Sequence, residues 1–319
     1  MRLLLAILAV FGLAILSLFV GVEDLSLAAL VSGKEDSHAL LILLASRIPR
    51  TIALVLAGMS MAVAGYIMQM LARNRFVEPS TAGTVESAGL GILTVMIIAP
   101  GLPIFGRMIV ATLFAIAGTA LFLRIIQQIR IRSPFIVPLV GIMLAGIISS
   151  LTTFLAYRFD LLQSLGAWMT GDFSTVLRGR YELLWISFVL TGIAYYAADR
   201  FTVAGMGENF TTNLGMNYAR VMALGLTIVS MVTAVVTTTV GVIPFVGLVV
   251  PNIVSLTMGD NARRSIPWIG LVGALFVLSC DIIGRIVRYP YEIPVGTILG
   301  VVGSAVFLYL LLRRGRCLA

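Results

Sequence analysis

The chain has 319 residues, 60% of them hydrophobic and only 11% charged, with a formal net charge of +8. Soluble domains carry about 25% charged residues, so that class is excluded. Apolar stretches of bilayer-spanning length recur from end to end, and they must be helices because lipid offers backbone N–H and C=O groups no partner; the alternating segments of about ten residues that mark a porin-type barrel are absent.

Taken in order, the apolar stretches predict ten spans, at 3–22, 48–72, 82–100, 104–129, 134–157, 181–198, 221–242, 244–258, 266–287 and 293–312. The first outruns the core of about 7–15 residues of a signal peptide and lacks a small-x-small cleavage site, so it reads as a retained span. Pro244 and Pro251 make the eighth short and irregular, since proline removes a backbone donor. In the fifth span Gly141, Ala145, Ser149 and Thr153 recur at every fourth position beside Gly146 and Ser150, and the tenth repeats the pattern with Gly296, Gly300 and Ser304. Such stripes let a second helix approach closely, within one bundle, at a subunit interface or along a lined pathway.

The longest polar interruption in the C-terminal half is 199–221, DRFTVAGMGENFTTNLGMNYARV. Residues 208–214 suit a short helix ended by Gly215, and Asn217 suits the cap of a new helix through Tyr218, Ala219 and Arg220. The result is a stiff knob joined directly to membrane spans. Arg73, Arg75, Arg124, Arg130, Arg132, Arg200, Arg220, Arg263, Arg264, Arg313, Arg314 and Arg316 fall on the side of the termini. Glu23, Asp24, Glu35, Asp36, Asp160, Glu182 and Glu292 fall on the other. Positive charge marks the cytoplasm, so both termini and the knob are expected there.

Catalytic motifs are missing. The lone His38 reads as a solvated loop residue, no HExxH, GxSxG or cysteine cluster occurs, and Cys280 and Cys317 read as inert. The one Gly-Lys pair, Gly33-Lys34, lacks the rest of a phosphate-binding loop, so ATP hydrolysis is not expected of this chain. Two acids fall within spans, where ionisable groups are costly: Glu86, one turn into the third span, and Asp281, whose spacing to Arg285 suits mutual neutralisation.

Two clusters carry arginines against the positive-inside trend: SRIPR at 46–50, and DIIGRIVRYPYEIP at 281–294. Arg47, Arg50, Arg285 and Arg288 read equally as interfacial arginines on lipid phosphate or as a docking site for an acidic partner. At 71–89, LARNRFVEPSTAGTVESAG places Asn74 and Phe76 where the chain turns back, either as a plug at a pore mouth or as an ordinary turn.

These pieces, in this order, resemble the FecCD family of ATP-binding-cassette permeases, importers of iron–siderophore complexes, haem and cobalamin. The likeness runs from about 46 to 312 and rests on RIPRTIALVLAGMSMAVAGYIMQ, GENFTTNLGMNYAR, GVIPFVGLVVPNIV and EIPVGTILGVVGSAVFLYLL. It implies an all-α polytopic fold of about ten transmembrane helices, the type II importer permease fold, as one domain over 1–319 with coupling helices at 199–221. Arg47, Arg50 and Arg285 would receive two glutamates of a periplasmic binding protein. Asn74 and Phe76 match a cytoplasmic gate, although Arg75 and Phe76 depart from the family's usual Asn-Pro-Leu. Gly207, Glu208, Leu214, Gly215, Met216 and Arg220 would seat in a cleft of an ATPase subunit, and Ser149, Ser150 and Thr153 would line the translocation path.

The NRFVEPSTAGT form resembles a branch that handles catecholate siderophores and pairs with a second, non-identical permease. The implied partners are therefore that second permease, two ATPase subunits carrying ATP and Mg, a substrate-binding protein and a ferric siderophore. No nucleic acid is implied, and no cofactor held by this chain. The implied location is the bacterial cytoplasmic (inner) membrane. Haem or cobalamin import, or a proton-coupled carrier dependent on Glu86, are the alternatives; a membrane enzyme lacks its motifs.

Overall fold

Each apolar run closes its own backbone hydrogen bonds as a helix. The computed structural model describes residues 2–20, 41–129, 135–259 and 261–316, and these form thirteen α-helices and no strand. They are α1 Arg2–Phe19, α2 Ile48–Leu71, α3 Thr84–Ile98, α4 Ile104–Gln128, α5 Ile136–Arg158, α6 Leu162–Met169, α7 Leu184–Tyr196, α8 Ala198–Gly205, α9 Glu208–Asn213, α10 Tyr218–Val240, α11 Val246–Met258, α12 Ala262–Ile286 and α13 Val295–Arg316. The ten predicted spans coincide with α1–α5, α7 and α10–α13.

Six described helices are long and apolar enough to cross a membrane, α7 and α8 meet the same length and composition only when taken together across a bend of 65°, and α1, α3 and α11 are shorter apolar helices. The protein is thus an all-α, multi-pass membrane protein. Two helices lie outside the expectation. α6 falls in a stretch read as loop, and α8 precedes the predicted knob helix, its Phe201 and Ala204 buried one turn apart.

The bundle has two ends. Ser17 of α1 meets Thr51 of α2 and Arg285 of α12, and the Ile293 amide before α13 donates to the Gly284 carbonyl. The C-termini of α1 and α12 and the N-termini of α2 and α13 therefore share one end, the Arg50 end. The opposite, knob end holds the 72–83 turn, α9, and the outer ends of α1 and α13.

The core is organised on α2, whose apolar window is 83% buried, against 22% for α5 and 17% for α13. Small residues make this possible. A β-carbon at Gly58 would lie 2.6 Å from the Gly273 carbonyl oxygen of α12, and one at Gly65 would lie 2.2 Å from that of Gly247 in α11. Backbone thus packs directly on backbone at two levels of α2.

Two crossings are only partly helical. α3 and α11 have 15 and 13 residues, about 22 and 20 Å at 1.5 Å per residue, short of a hydrocarbon core of about 30 Å. The 72–83 turn precedes α3, and the 241–245 stretch precedes α11. That stretch begins at Gly241 and ends at Phe245, both at positive φ, 84° and 64°. The irregular eighth span expected from Pro244 and Pro251 is this combination of extended stretch and short helix. The readings of Lys34, His38, Arg130, Arg132 and Cys317 lie outside the described residues.

Because Gly65 abuts the Gly247 backbone, Gly65→Val should force α2 from α11. Overpacking of this kind costs about 1–3 kcal/mol or more, and a lower thermal unfolding midpoint of the purified protein in detergent, with loss of monodispersity, is the expected result.

Candidate functional site

At the Arg50 end, the sequence suggests surface arginines; the structure corrects this. Arg47, Arg50 and Arg285 are buried, with exposures of 8%, 9% and 6%. Asp281, fully buried, sits between two of them. Arg50 reaches it through Nη2 at 2.7 Å and Nε at 3.3 Å, and donates Nη1 to Glu292 at 2.6 Å. Arg285 pairs with the other oxygen of Asp281 from the next turn of α12. That same guanidinium donates to the Ser17 and Val20 carbonyls at 2.9 and 2.8 Å, and Arg47 donates to the Leu18 carbonyl at 2.7 Å. The last carbonyls of a helix have no partner within it, so these two arginines close the C-terminus of α1. Asp281–Arg285 neutralisation, expected from spacing, is found, with Arg50 as a third member. Of the four arginines, Arg288 is the exposed one, over the ring of Tyr291 at 5.7 Å.

At the other end, the knob is built as its residues predict. Met216 and Gly215 amides donate to the Thr211 and Thr212 carbonyls, and Gly215 has φ 76°, which closes α9 in a Schellman motif. Asn217 caps α10, accepting from the Arg220 amide at 3.0 Å. Thr211 is buried and donates to the Gly207 carbonyl at 2.7 Å, tying α9 to its own base. Glu208, Phe210, Leu214, Gly215 and Arg220 are exposed on this knob and Met216 is half-buried. Exposed Met206, Phe210 and Leu214 give it an apolar surface.

The 72–83 turn lies next to it. Asn74 is buried and its Oδ1 accepts from the Phe76 amide at 2.9 Å, so it shapes the turn. Phe76 stacks on Phe135, before α5, at 5.5 Å and meets Phe307 of α13 edge-on at 6.1 Å. The ring therefore bridges α5 and α13, the least buried of the six long spans. A cavity of about 520 Å³ separates the turn from α8, lined by Arg73, Asn74, Thr202 and Met206 among others. Arg73 bounds the gap: a β-carbon at Gly207 would lie 2.9 Å from its Nη1, so turn and knob touch.

Three residues that the sequence pattern does not mark, Gln69, Asn252 and Glu78, fasten the end of α2 and this turn to α11. Pro251 has no N–H for the Gly247 carbonyl four residues back, and Gln69 Nε2 donates to that oxygen instead, at 3.3 Å. Asn252 Nδ2 donates to the Arg75 carbonyl at 2.8 Å. Glu78 Oε1 accepts from the Phe245 amide at 3.1 Å and from the Ser80 hydroxyl at 2.5 Å. Its carboxylate thus occupies the N-terminus of α11, where unpaired amides and the helix dipole favour negative charge. Burial pushes the Glu78 carboxyl up to about 7, against the hydrogen bonds from Ser80, Phe245, Leu248 and Gly247. Only Pro251 hinted at this in the sequence.

Ser149, Ser150 and Thr153 are exposed on α5, and Ser150 donates to the Gly146 carbonyl at 2.8 Å. Glu86 stands in the first turn of α3 with Oε2 buried and without a hydrogen-bond partner among the described residues. The four groups of predicted residues thus occupy three places: the docking arginines the Arg50 end, the gate and coupling residues the knob end, and the path residues the open α5 face.

The model of the FecCD transport family matches residues 5–313. The petrobactin import system permease protein YclN of Bacillus subtilis is 50% identical over 303 residues, 95% of each chain. The ferric-anguibactin transport system permease protein FatD of Vibrio anguillarum is 42% identical, covering 96% of this chain and 97% of its own. A solved metal-chelate type ABC transporter in an inward-facing conformation superposes with a TM-score of 0.82 over 98% of this chain and 99% of its own, at 23% identity, a likeness of fold.

Removing one member of a buried charge cluster strands the others, at about 3–5 kcal/mol. Arg50→Gln should therefore lower the thermal midpoint well beyond Arg288→Gln, whose side chain is exposed; equal midpoints would count against the buried network.

Proposed function

The chain belongs to the FecCD transport family, and from that premise we propose that it is the membrane subunit of an ATP-binding-cassette importer that carries ferric catecholate siderophores into the cytoplasm. The observation that carries this reading is a family match across nearly the whole chain, together with relatives named for petrobactin and ferric-anguibactin import. Petrobactin is a catecholate-type siderophore. The proposed location is a bacterial cytoplasmic membrane, with both termini and the knob inside.

The proposed cycle assigns each place a task. A second permease of the same family, non-identical, packs beside this one. Ser149, Ser150 and Thr153 of α5 face the path between them, which suits hydroxyls left outside the core. A loaded binding protein docks at the Arg50 end. There its carboxylates compete with Glu292 for Arg50, at the rim of the cluster that holds Arg47 and Arg285, and meet the exposed Arg288. Two ATPase subunits, holding ATP and Mg, grip the knob through Glu208, Leu214, Gly215, Met216 and Arg220, with the buried Gly207 at its base. The apolar surface of Phe210 and Leu214 supplies the buried area for that grip.

Displacement of the knob then passes to the turn through the contact of Gly207 with Arg73. Phe76 passes it on to α5 and α13, and with Asn74 setting the turn it opens or shuts the path. The differential grip of two ATPase states supplies the bias that a conformational shift requires.

In vesicles holding this permease, its partner permease and the ATPase, uptake of ferric siderophore should require ATP and the binding protein; uptake by the permease alone on an ion gradient would overturn the reading. Proline cannot adopt the positive φ of Gly215, so Gly215→Pro should lower uptake at least about tenfold through loss of the knob, while binding-protein docking persists. Retained uptake would exclude the coupling role of the knob.

A further inference from the structure

Glu78 has no part in the cycle above, although it joins two elements that the cycle moves. It belongs to the turn that carries Asn74 and Phe76, yet its carboxylate is spent on the N-terminus of α11, 167 residues away in sequence. The junction is tight on every side. A β-carbon at Gly247 would lie 3.3 Å from Glu78 Oε2, and one at Gly303 of α13 would lie 2.5 Å from Phe245 Cβ. The Glu78 amide itself is held by the Thr81 hydroxyl at 3.0 Å.

We propose that Glu78 is the positioning residue that clamps the 72–83 turn to α11, so that gate turn and half-length helix move as one body during transport. The role rests on the importer reading given above. Its physical basis is that one buried carboxyl oxygen accepts from the Phe245 amide and the Ser80 hydroxyl together, so that removing it strands buried donors. Gln69 and Asn252 brace the same joint with neutral bonds, each to a single carbonyl of the opposing element.

The clamp has a pH signature. Around Glu78, α11 presents backbone amides, α2 the neutral Gln69, and α13 the apolar surface at Gly303 and Phe307; α3 presents Glu86, the titratable group that interacts with Glu78 by charge. Release of the clamp returns the carboxyl to water and its ordinary value of 4.5, from about 7 when clamped. The clamped form therefore holds an extra proton within that window. Its stability is fully present below the window and is lost as pH rises through about 7.

Amide hydrogen exchange of the full chain in lipid nanodiscs tests this directly at Phe245, Gly247 and Leu248. In the wild type, exchange corrected for intrinsic base catalysis should quicken from about pH 6 to about pH 8. Glu78→Gln, whose amide oxygen accepts at every pH, should show no corrected pH slope, and Glu78→Ala should exchange about tenfold faster at the acid end. A flat corrected profile in the wild type overturns the clamp without any variant, as does a wild-type slope in Glu78→Gln. In the reconstituted importer, uptake of radioiron as ferric petrobactin should fall about tenfold in Glu78→Ala, with Glu78→Gln retaining more of it; wild-type uptake in Glu78→Ala overturns the transport role. Should the wild-type importer carry nothing, the functional reading fails by itself, and the exchange data still decide the clamp.

Discussion

A backbone amide or carbonyl inside an apolar bundle has to find a partner, because neither lipid nor hydrocarbon side chains supply one. This protein interrupts helical structure twice in one neighbourhood, before α3 and before α11. The freed groups are answered by side chains from the opposing element: Gln69 for the carbonyl that Pro251 leaves open, Asn252 for Arg75, and Glu78 for the amides that begin α11. The two irregular stretches are consequently each other's solvent. Neither can be redesigned alone, and the direct backbone contact of Gly65 with Gly247 holds α2 close enough for Gln69 to reach.

The same logic governs the Arg50 end in another form. There the group needing neutralisation is Asp281, and the helix end needing partners is that of α1. One guanidinium, Arg285, serves both at once. Buried charge of this kind does little for net stability compared with an apolar core, but it is unforgiving of partial removal. It fixes the register of α1, α2 and α12 against one another, and it leaves Glu292 and Arg288 as the elements of the cluster that solvent or a partner can reach.

Much of this was legible in the chain, and the boundary of legibility follows sequence distance. Asp281 and Arg285 are one helical turn apart, so their pairing is readable; Arg50 lies 231 residues from Asp281, and nothing local announces that contact. The knob was readable residue by residue, since Gly215 and Asn217 act on their immediate neighbours. α8 was not, because DRFTVAG is polar in composition and only its Phe201 and Ala204 turn inward. Glu78 reads as one more loop acid, its partners being main-chain groups that carry no side-chain signature. The arginines were misplaced at the surface for a related reason: charge pattern reports where a residue falls along the chain, whereas burial depends on what returns to meet it.

The elbow between α7 and α8 has a mechanical corollary. With the two axes 65° apart, less than half of any movement along α8 projects onto the axis of α7, and the remainder arrives crosswise. The pair has the geometry of a bell crank: under the proposed cycle, a thrust at the base of α9 would reach the bundle chiefly as leverage that swings α7 sideways, not as a piston stroke. Tilting breaks fewer contacts in a close-packed bundle than sliding one helix past another by a full turn, so under that cycle this corner would set which kind of motion the bundle receives.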